Sequence, residues 1–239
     1  MQIHQFNDVH QLNQHFAQQI ATLLTDAIRQ RGKAFLAVSG GKTPLGLFKR
    51  LAQTNLDWRN VTITLTDERW LNPLDKDSNE YLVKENLLQD KAAKATFISL
   101  YSTADDHCCD EIETRLAVLP TFDVVILGMG EDGHTASLFP CSTEIYSGLA
   151  DTSSAVLMVN PTSAPYRRIS LSKTRLLNSR IIFLHLVGKN KMAALNKALA
   201  GSNLFEMPIR AFLHHPTTDI QIMFAPEEVT NASSYQENY

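Results

Sequence analysis

The sequence predicts an α/β fold: a doubly wound, mostly parallel sheet with helices on both faces, of a modified Rossmann-like kind. Short apolar runs bounded by glycine or polar residues alternate with stretches whose apolar residues recur every three or four positions. These are the periods of buried strands and of amphipathic helices. The strand runs are mainly apolar, as strands covered on both faces of a parallel sheet are. The 239 residues are 44% apolar, enough for one sizeable core. No internal repeat, low-complexity tract or linker interrupts the pattern, so a single α/β domain over 1–239 is expected.

Val9, Leu12, Phe16, Ile20, Leu23 and Ala27 predict a helix that Gly32 closes. Ala34 to Val38 reads as a buried strand. Pro44 suits the first turn of a helix continuing through Leu47, Phe48 and Leu51. Val61 to Leu65 is a second strand, followed by a polar loop from Thr66 to Ser78. Asp77 and Glu80 have capping-box spacing ahead of a helix through Leu82 and Leu88. Thr96 to Leu100 and Asp123 to Leu127 read as strands, with a helix from Asp105 to Val118 between them. Ala155 to Val159, Ile169 to Leu171 and Ile181 to Val187 are further strand candidates. A helix over Lys189 to Ala200, an irregular stretch from Gly201 to Pro216 and a last strand from Asp219 to Phe224 complete the chain.

Composition narrows the function. A net charge of -3 provides no general basic field for nucleic acid or an acidic membrane. The apolar stretches at Val124 to Leu127 and Ile181 to Val187 are too short to cross a bilayer. The chain opens Met1-Gln2-Ile3-His4, without a basic leader or an apolar signal run. Three cysteines, with Cys108 and Cys109 adjacent, make no disulfide framework. A cytoplasmic protein is expected, acting as a monomer or weak homodimer on a small molecule. Asn60-Val61-Thr62 and Asn231-Ala232-Ser233 match a glycosylation pattern and are read as chance.

Ligands of open α/β sheets bind beyond the carboxyl ends of the strands, which directs attention to three segments. Ser39-Gly40-Gly41-Lys42-Thr43-Pro44 joins a strand to a helix. Paired glycines let backbone amides approach a ligand, and the helix start adds partial positive charge, so the turn suits phosphate. It equally suits a tight turn without a ligand. Gly41-Lys42-Thr43 imitates the end of a nucleotide-binding phosphate loop. That pattern needs glycine where Leu36 stands, and Pro44 removes an amide, so nucleoside triphosphate hydrolysis is excluded. Thr66-Asp67-Glu68-Arg69-Trp70 puts two carboxylates and an arginine at a strand exit. Arg69 suits bidentate contact with an oxyanion, and Asp67 could orient it or meet hydroxyls. A surface salt-bridge cluster is the alternative.

Gly128 to Pro140, reading GMGEDGHTASLFP, presents His134 on a glycine-rich loop behind a buried strand. A neutral imidazole can take a proton from water near neutral pH, and Asp132 could fix its tautomer. His4, His10, His15, His107 and His185 read as structural, and His214 and His215 as loop residues. Gly128, Gly130 and Gly133 have dinucleotide spacing, but His134 and Pro140 leave little room for the long helix that fingerprint opens. No His or Cys set at ligand spacing accompanies His134, so no metal and no cofactor are expected. Arg168, which begins a short strand, and Lys191, in the first turn after Gly188, are further candidates for anion contact.

Jointly these motifs resemble the family that holds 6-phosphogluconolactonase and glucosamine-6-phosphate deaminase. The resemblance rests on SGGKTP, TDERWLNPLDKDSNEYL, GMGEDGHTASLFP and RISLSKTRLLNSRIIFLHLVGKNKMAAL, in consistent order from about Phe16 to Phe224. It implies a sugar phosphate as ligand. Arg69 where the deaminases carry Tyr, and Phe139 where they carry Glu, favour the lactonase branch. That branch implies hydrolysis of 6-phospho-D-glucono-1,5-lactone in the oxidative pentose phosphate pathway. The implied base is His134, supported by Asp132 and Arg69. Ser39, Gly40, Gly41, Lys42, Thr43, Asp67, Arg168 and Lys191 are then expected to hold the substrate and its phosphate. Trp70-Leu71-Asn72-Pro73 departs from the Val-Pro that many relatives carry there. A deaminase-like enzyme and a non-catalytic sugar-phosphate sensor are the alternatives. The sensor lacks support, since Met1 to Gly32 reads as a core-covering helix without a DNA-binding segment.

Overall fold

The computed structural model describes residues 1–104, 107–151 and 154–226. In chain order its first half holds β1 (Gln2–Gln5), α1 (Val9–Arg31), β2 (Ala34–Val38), α2 (Leu45–Ala52), β3 (Val61–Leu65), β4 (Asp67–Arg69), α3 (Asn79–Asn86), β5 (Thr96–Ile98), α4 (Cys108–Leu116) and β6 (Val124–Leu127). There follow α5 (Ile145–Leu149), β7 (Val156–Val159), β8 (Arg168–Leu171), α6 (Lys173–Leu177), β9 (Ile182–Val187), α7 (Lys189–Ala200), α8 (Arg210–Leu213) and β10 (Ile220–Ala225). The second glycosylation match, 231–233, and the first two residues of the predicted 105–118 helix lie outside the described residues.

Seven strands pair in the order β1-β10-β9-β6-β2-β3-β5, each pair parallel. The inner strand β9 shows why its sequence is mainly apolar. Phe183 and His185 meet the Phe16 ring of α1 on one face, while Leu184 and Leu186 are buried on the other. Helix α1 begins at Asp8, whose carboxylate accepts the Gln11 amide at 2.7 Å, and ends at Gly32 with φ 77°. Leu12, Phe16, Ile20, Leu24 and Ala27 form its buried stripe. Leu24 takes the fully buried place expected of Leu23, which packs at the margin.

Two expectations are corrected. The predicted strands around 155–159 and 169–171 do not join the main sheet. They form a separate antiparallel sheet in the order β4-β8-β7. Its third member, β4, lies in the stretch expected to be loop, and Arg69 there stands opposite Arg168. The capping of α3 also differs. Ser78, not Asp77, is the N-cap and accepts the Tyr81 amide at 3.1 Å.

Glu68 fixes the start of α3 from β4. One oxygen accepts the amides of Arg69 at 2.6 Å and Asn79 at 2.7 Å. The other accepts the Ser78 hydroxyl at 2.9 Å and the Glu80 amide at 2.7 Å. A carboxylate there satisfies orphan amides of a helix start and complements its dipole. Burial pushes the Glu68 carboxyl from its ordinary 4.5 up to about 7, against the four hydrogen bonds.

Glu68→Ala strands these donors, and denaturant titration is expected to show a loss of about 3 kcal/mol or more. The unfolded chain releases the Glu68 proton at lower pH than the folded one. Stability contributed by this group is therefore full below about 4.5 and falls as pH rises towards 7. The difference between wild type and Glu68→Gln in unfolding free energy against pH is expected to show that slope.

Candidate active site

Because β2, β6 and β9 are parallel neighbours, the segments after them emerge on one edge. Together with β4 and β8 they enclose a cavity of about 360 Å³. The first wall is the turn after β2. Ser39, Gly40, Gly41 and Thr43 line it. A Cβ at Gly40 would collide with the Asn79 carboxamide, so glycine is required where this turn meets the start of α3.

The loop after β6 forms the second wall. Gly130 N donates to the His134 carbonyl at 2.9 Å and Gly133 N to the Gly130 carbonyl at 3.1 Å, folding the loop back on itself. A Cβ at Gly130 would strike the His134 ring and the Asp132 carboxylate. Glycine there lets Asp132 Oδ1 approach His134 Nδ1 to 2.6 Å and also accept the His134 amide at 3.1 Å. The His134 hydrogen bond and charge outweigh the desolvation of Asp132 and hold its carboxyl below the usual range. In the neutral ring, a carboxylate at this place selects the tautomer with its proton on Nδ1 and its lone pair on Nε2. Phe139 stacks on the imidazole, with centroids 4.2 Å apart and 26° between planes.

The small sheet is the third wall. Arg69 and Arg168 are cross-strand partners and both line the cavity. Like charges directly opposite repel, so the pair favours an anion between or above them. Arg168 Nε and Nη2 donate to the Pro165 carbonyl at 3.2 and 3.0 Å, and burial lowers its pKa. Arg69 Nη1 donates to the Asp77 carbonyl at 2.8 Å and lies 3.7 Å from the Asp77 carboxylate. Its partner is thus Asp77 and not Asp67. Asp67 accepts the Ser137 hydroxyl at 2.6 Å, tying the second wall to the third. The fourth wall comes from β9 and α7. There Lys191 Nζ donates to the Met129 carbonyl at 2.9 Å.

Of the expected set, Ser39, Gly40, Gly41, Thr43, Asp67, Arg69, His134, Arg168 and Lys191 line one cavity. Two do not. Lys42 follows Gly41, whose φ of 91° turns the chain, and is exposed outside the cavity. Asp132 stands behind His134 and acts on the cavity through it. Asn79, Phe139 and His185 also line the cavity. Asn79 lies in the TDERWLNPLDKDSNEYL stretch that carries the family resemblance, whereas His185 is hidden within an apolar run. Among the described residues no group of three or more His, Cys, Asp or Glu is placed to hold a metal. No helix among them is long and apolar enough to cross a membrane.

A Rossmann-like sheet whose strand ends carry a histidine–carboxylate pair facing clustered cations defines an α/β enzyme for a small anionic substrate. The chain belongs to the glucosamine-6-phosphate isomerase/6-phosphogluconolactonase family, whose model matches residues 7–221. It is 41% identical over 220 residues to a 6-phosphogluconolactonase of Pseudomonas putida, covering 90% of each chain. It is 39% identical over 228 residues to a 6-phosphogluconolactonase of Rhizobium meliloti (strain 1021), covering 94% of this chain and 98% of that one. The crystal structure of a 6-phosphogluconolactonase from Shewanella baltica superimposes with a TM-score of 0.92 at 43% identity, covering 94% of this chain and 97% of that one.

Gly40→Ala forces Asn79 aside, and overpacking of this kind is expected to cost about 1–3 kcal/mol in thermal or denaturant unfolding. The same variant is expected to bind inorganic phosphate more weakly, as read by calorimetry.

Proposed function

We propose that the protein hydrolyses 6-phospho-D-glucono-1,5-lactone to 6-phospho-D-gluconate, the lactone-opening step of the oxidative pentose phosphate pathway. One observation carries this reading: an Asp132-oriented imidazole shares a cavity of about 360 Å³ with Arg69, Arg168, Lys191 and the 39–43 turn. Such a cavity suits a small ring with one anionic tail. The tail is held by the 39–43 turn with Arg168 and Lys191, which fixes C1 against His134.

His134 Nε2 removes a proton from water as the water oxygen attacks C1. The carbonyl electrons move onto the exocyclic oxygen, and Arg69 stabilises that oxyanion. When the carbonyl re-forms, the bond from C1 to the ring oxygen breaks. The imidazolium returns its proton to the departing oxygen, leaving a carboxylic acid that ionises. Asp132 stabilises the imidazolium between these steps. No electrons leave the substrate, so the reaction requires no redox cofactor. Three free cysteines, none of them disulfide-bonded, suit a reducing, cytoplasmic compartment.

Deamination of glucosamine 6-phosphate is the second reading that the family allows. Phe139 argues against it, because an apolar ring lies flat on His134 where the deaminase pattern carries a proton-transferring Glu.

His134→Asn is expected to lower kcat by about two to four powers of ten with little change in KM, in lactone assays corrected for spontaneous opening. Wild-type turnover in that folded variant, or ammonia release from glucosamine 6-phosphate by the native protein, overturns the assignment. Lys191→Ala is expected instead to raise KM and spare most of kcat, because it removes binding that ground and transition states share.

A further inference from the structure

One polar side chain of the cavity has no part in the chemistry above. His185, near the carboxyl end of β9, is 3% exposed and meets the Phe16 ring edge-on, with centroids 5.3 Å apart. The residue is nevertheless among those that line the cavity, on the wall that also carries Val187 and Lys191. Neither Nδ1 nor Nε2 has a hydrogen-bond partner among the described residues.

Buried polar atoms of folded proteins are nearly always paired, because an unpaired one forfeits its hydration with nothing in return. An aromatic ring without nitrogens would pack on Phe16 free of that cost, so packing alone does not account for a histidine. Both nitrogens are covered, so a partner from the space that His185 borders reaches them by a turn of the ring. Burial pushes the imidazole down to about 3, which keeps it neutral, with one N–H donor and one lone pair. Beside the Lys191 ammonium, a neutral donor adds a hydrogen bond to an anion without placing a second buried positive charge against the first.

The geometry points to His185 as a further substrate-binding residue, whose ring N–H donates to a phosphate oxygen held between Lys191 and the 39–43 turn. This rests on the sugar-phosphate reading of the cavity. The role is distinct from that of His134, which exchanges a proton with the reacting groups while His185 keeps its own.

His185→Phe keeps a ring against Phe16 and removes both nitrogens; His185→Gln keeps an N–H donor. His185→Phe is expected to raise KM for the lactone roughly tenfold, the loss typical of a hydrogen bond to a charged group, with kcat little changed. Competitive inhibition by inorganic phosphate should weaken by a similar factor, and His185→Gln should restore most of both. A folded His185→Phe with unchanged KM and phosphate inhibition overturns the inference, leaving His185 a core residue. So does a higher KM with unchanged phosphate inhibition, which moves the contact to the sugar. Should His185→Phe not fold, the wild-type protein with ring-labelled histidine decides the matter. Inorganic phosphate should shift the His185 ring N–H resonance, and a resonance that stays in place overturns the contact. A wild type that neither opens the lactone nor binds phosphate removes the underlying reading of the cavity. A wild type that does both, beside an unaffected His185→Phe, removes this inference alone.

Discussion

Parallel pairing of β2, β6 and β9 is the constraint on which the site depends. The pairs Leu36–Val124, Ala37–Val125 and Val38–Ile126, with Leu127 beside Leu184, bring the strand ends level. The turn at 39–43, the loop at 128–134 and the β9–α7 connection must therefore converge, although they lie some 90 and 60 residues apart in the chain. Each strand is buried on both faces, so a one-residue slip would exchange the side chains of the two layers. The apolar runs thus do more than fill the core. They lock the register that puts an imidazole, an amide turn and an ammonium around one space.

The small antiparallel sheet supplies what the main sheet does not, at a cost met elsewhere. Setting Arg69 opposite Arg168 is unfavourable in a folded chain without an anion. Several contacts hold the arrangement. Glu68 anchors β4 to α3 through four donors. Asp67 binds Ser137 of the histidine loop, and Asp77 holds Arg69 while accepting the Tyr166 hydroxyl at 2.7 Å. Alternate residues of one three-residue strand thus face different tasks. Asp67 and Arg69 face the cavity, and the buried Glu68 between them faces the helix.

Much of this was legible from the residues alone, for physical reasons. Mainly apolar runs fixed β2, β3, β6 and β9 because burial on both faces leaves few polar positions to disguise them. The glycines ahead of the histidine marked the 128–134 loop, and at Gly130 only a missing side chain admits the Asp132–His134 contact. The edge strand β1 was not legible. Its residues Gln2, Ile3 and Gln5 are exposed, so solvent and not the core set its composition. Nor was β4, whose three residues pair with a strand some 100 positions away. Ser78 and Asp77 are equally good caps by composition. Arg69 and Tyr166 draw Asp77 away, a tertiary effect that spacing cannot express. His185 reads as structural within an apolar run, and its burial agrees. What the run conceals is that this part of the strand doubles as cavity wall.

The two buried edges of the cavity point to a division of electrostatic labour. Positive charge is concentrated on three residues that line the cavity: Arg69, Arg168 and Lys191. The His134 imidazole, the proposed base, is half-open to solvent and faces a carboxylate, so a charged form has a partner. Phe139 lies between these regimes, stacked on His134 with the Arg168 guanidinium 5.8 Å from its centroid. An apolar ring there holds both neighbours in place and neither takes nor gives a proton. A carboxylate in its position would accept protons and pair with Arg168, drawing that cation from the cavity. On the proposed mechanism, the same scaffold would then favour proton shuttling over water attack at the imidazole that Phe139 now covers.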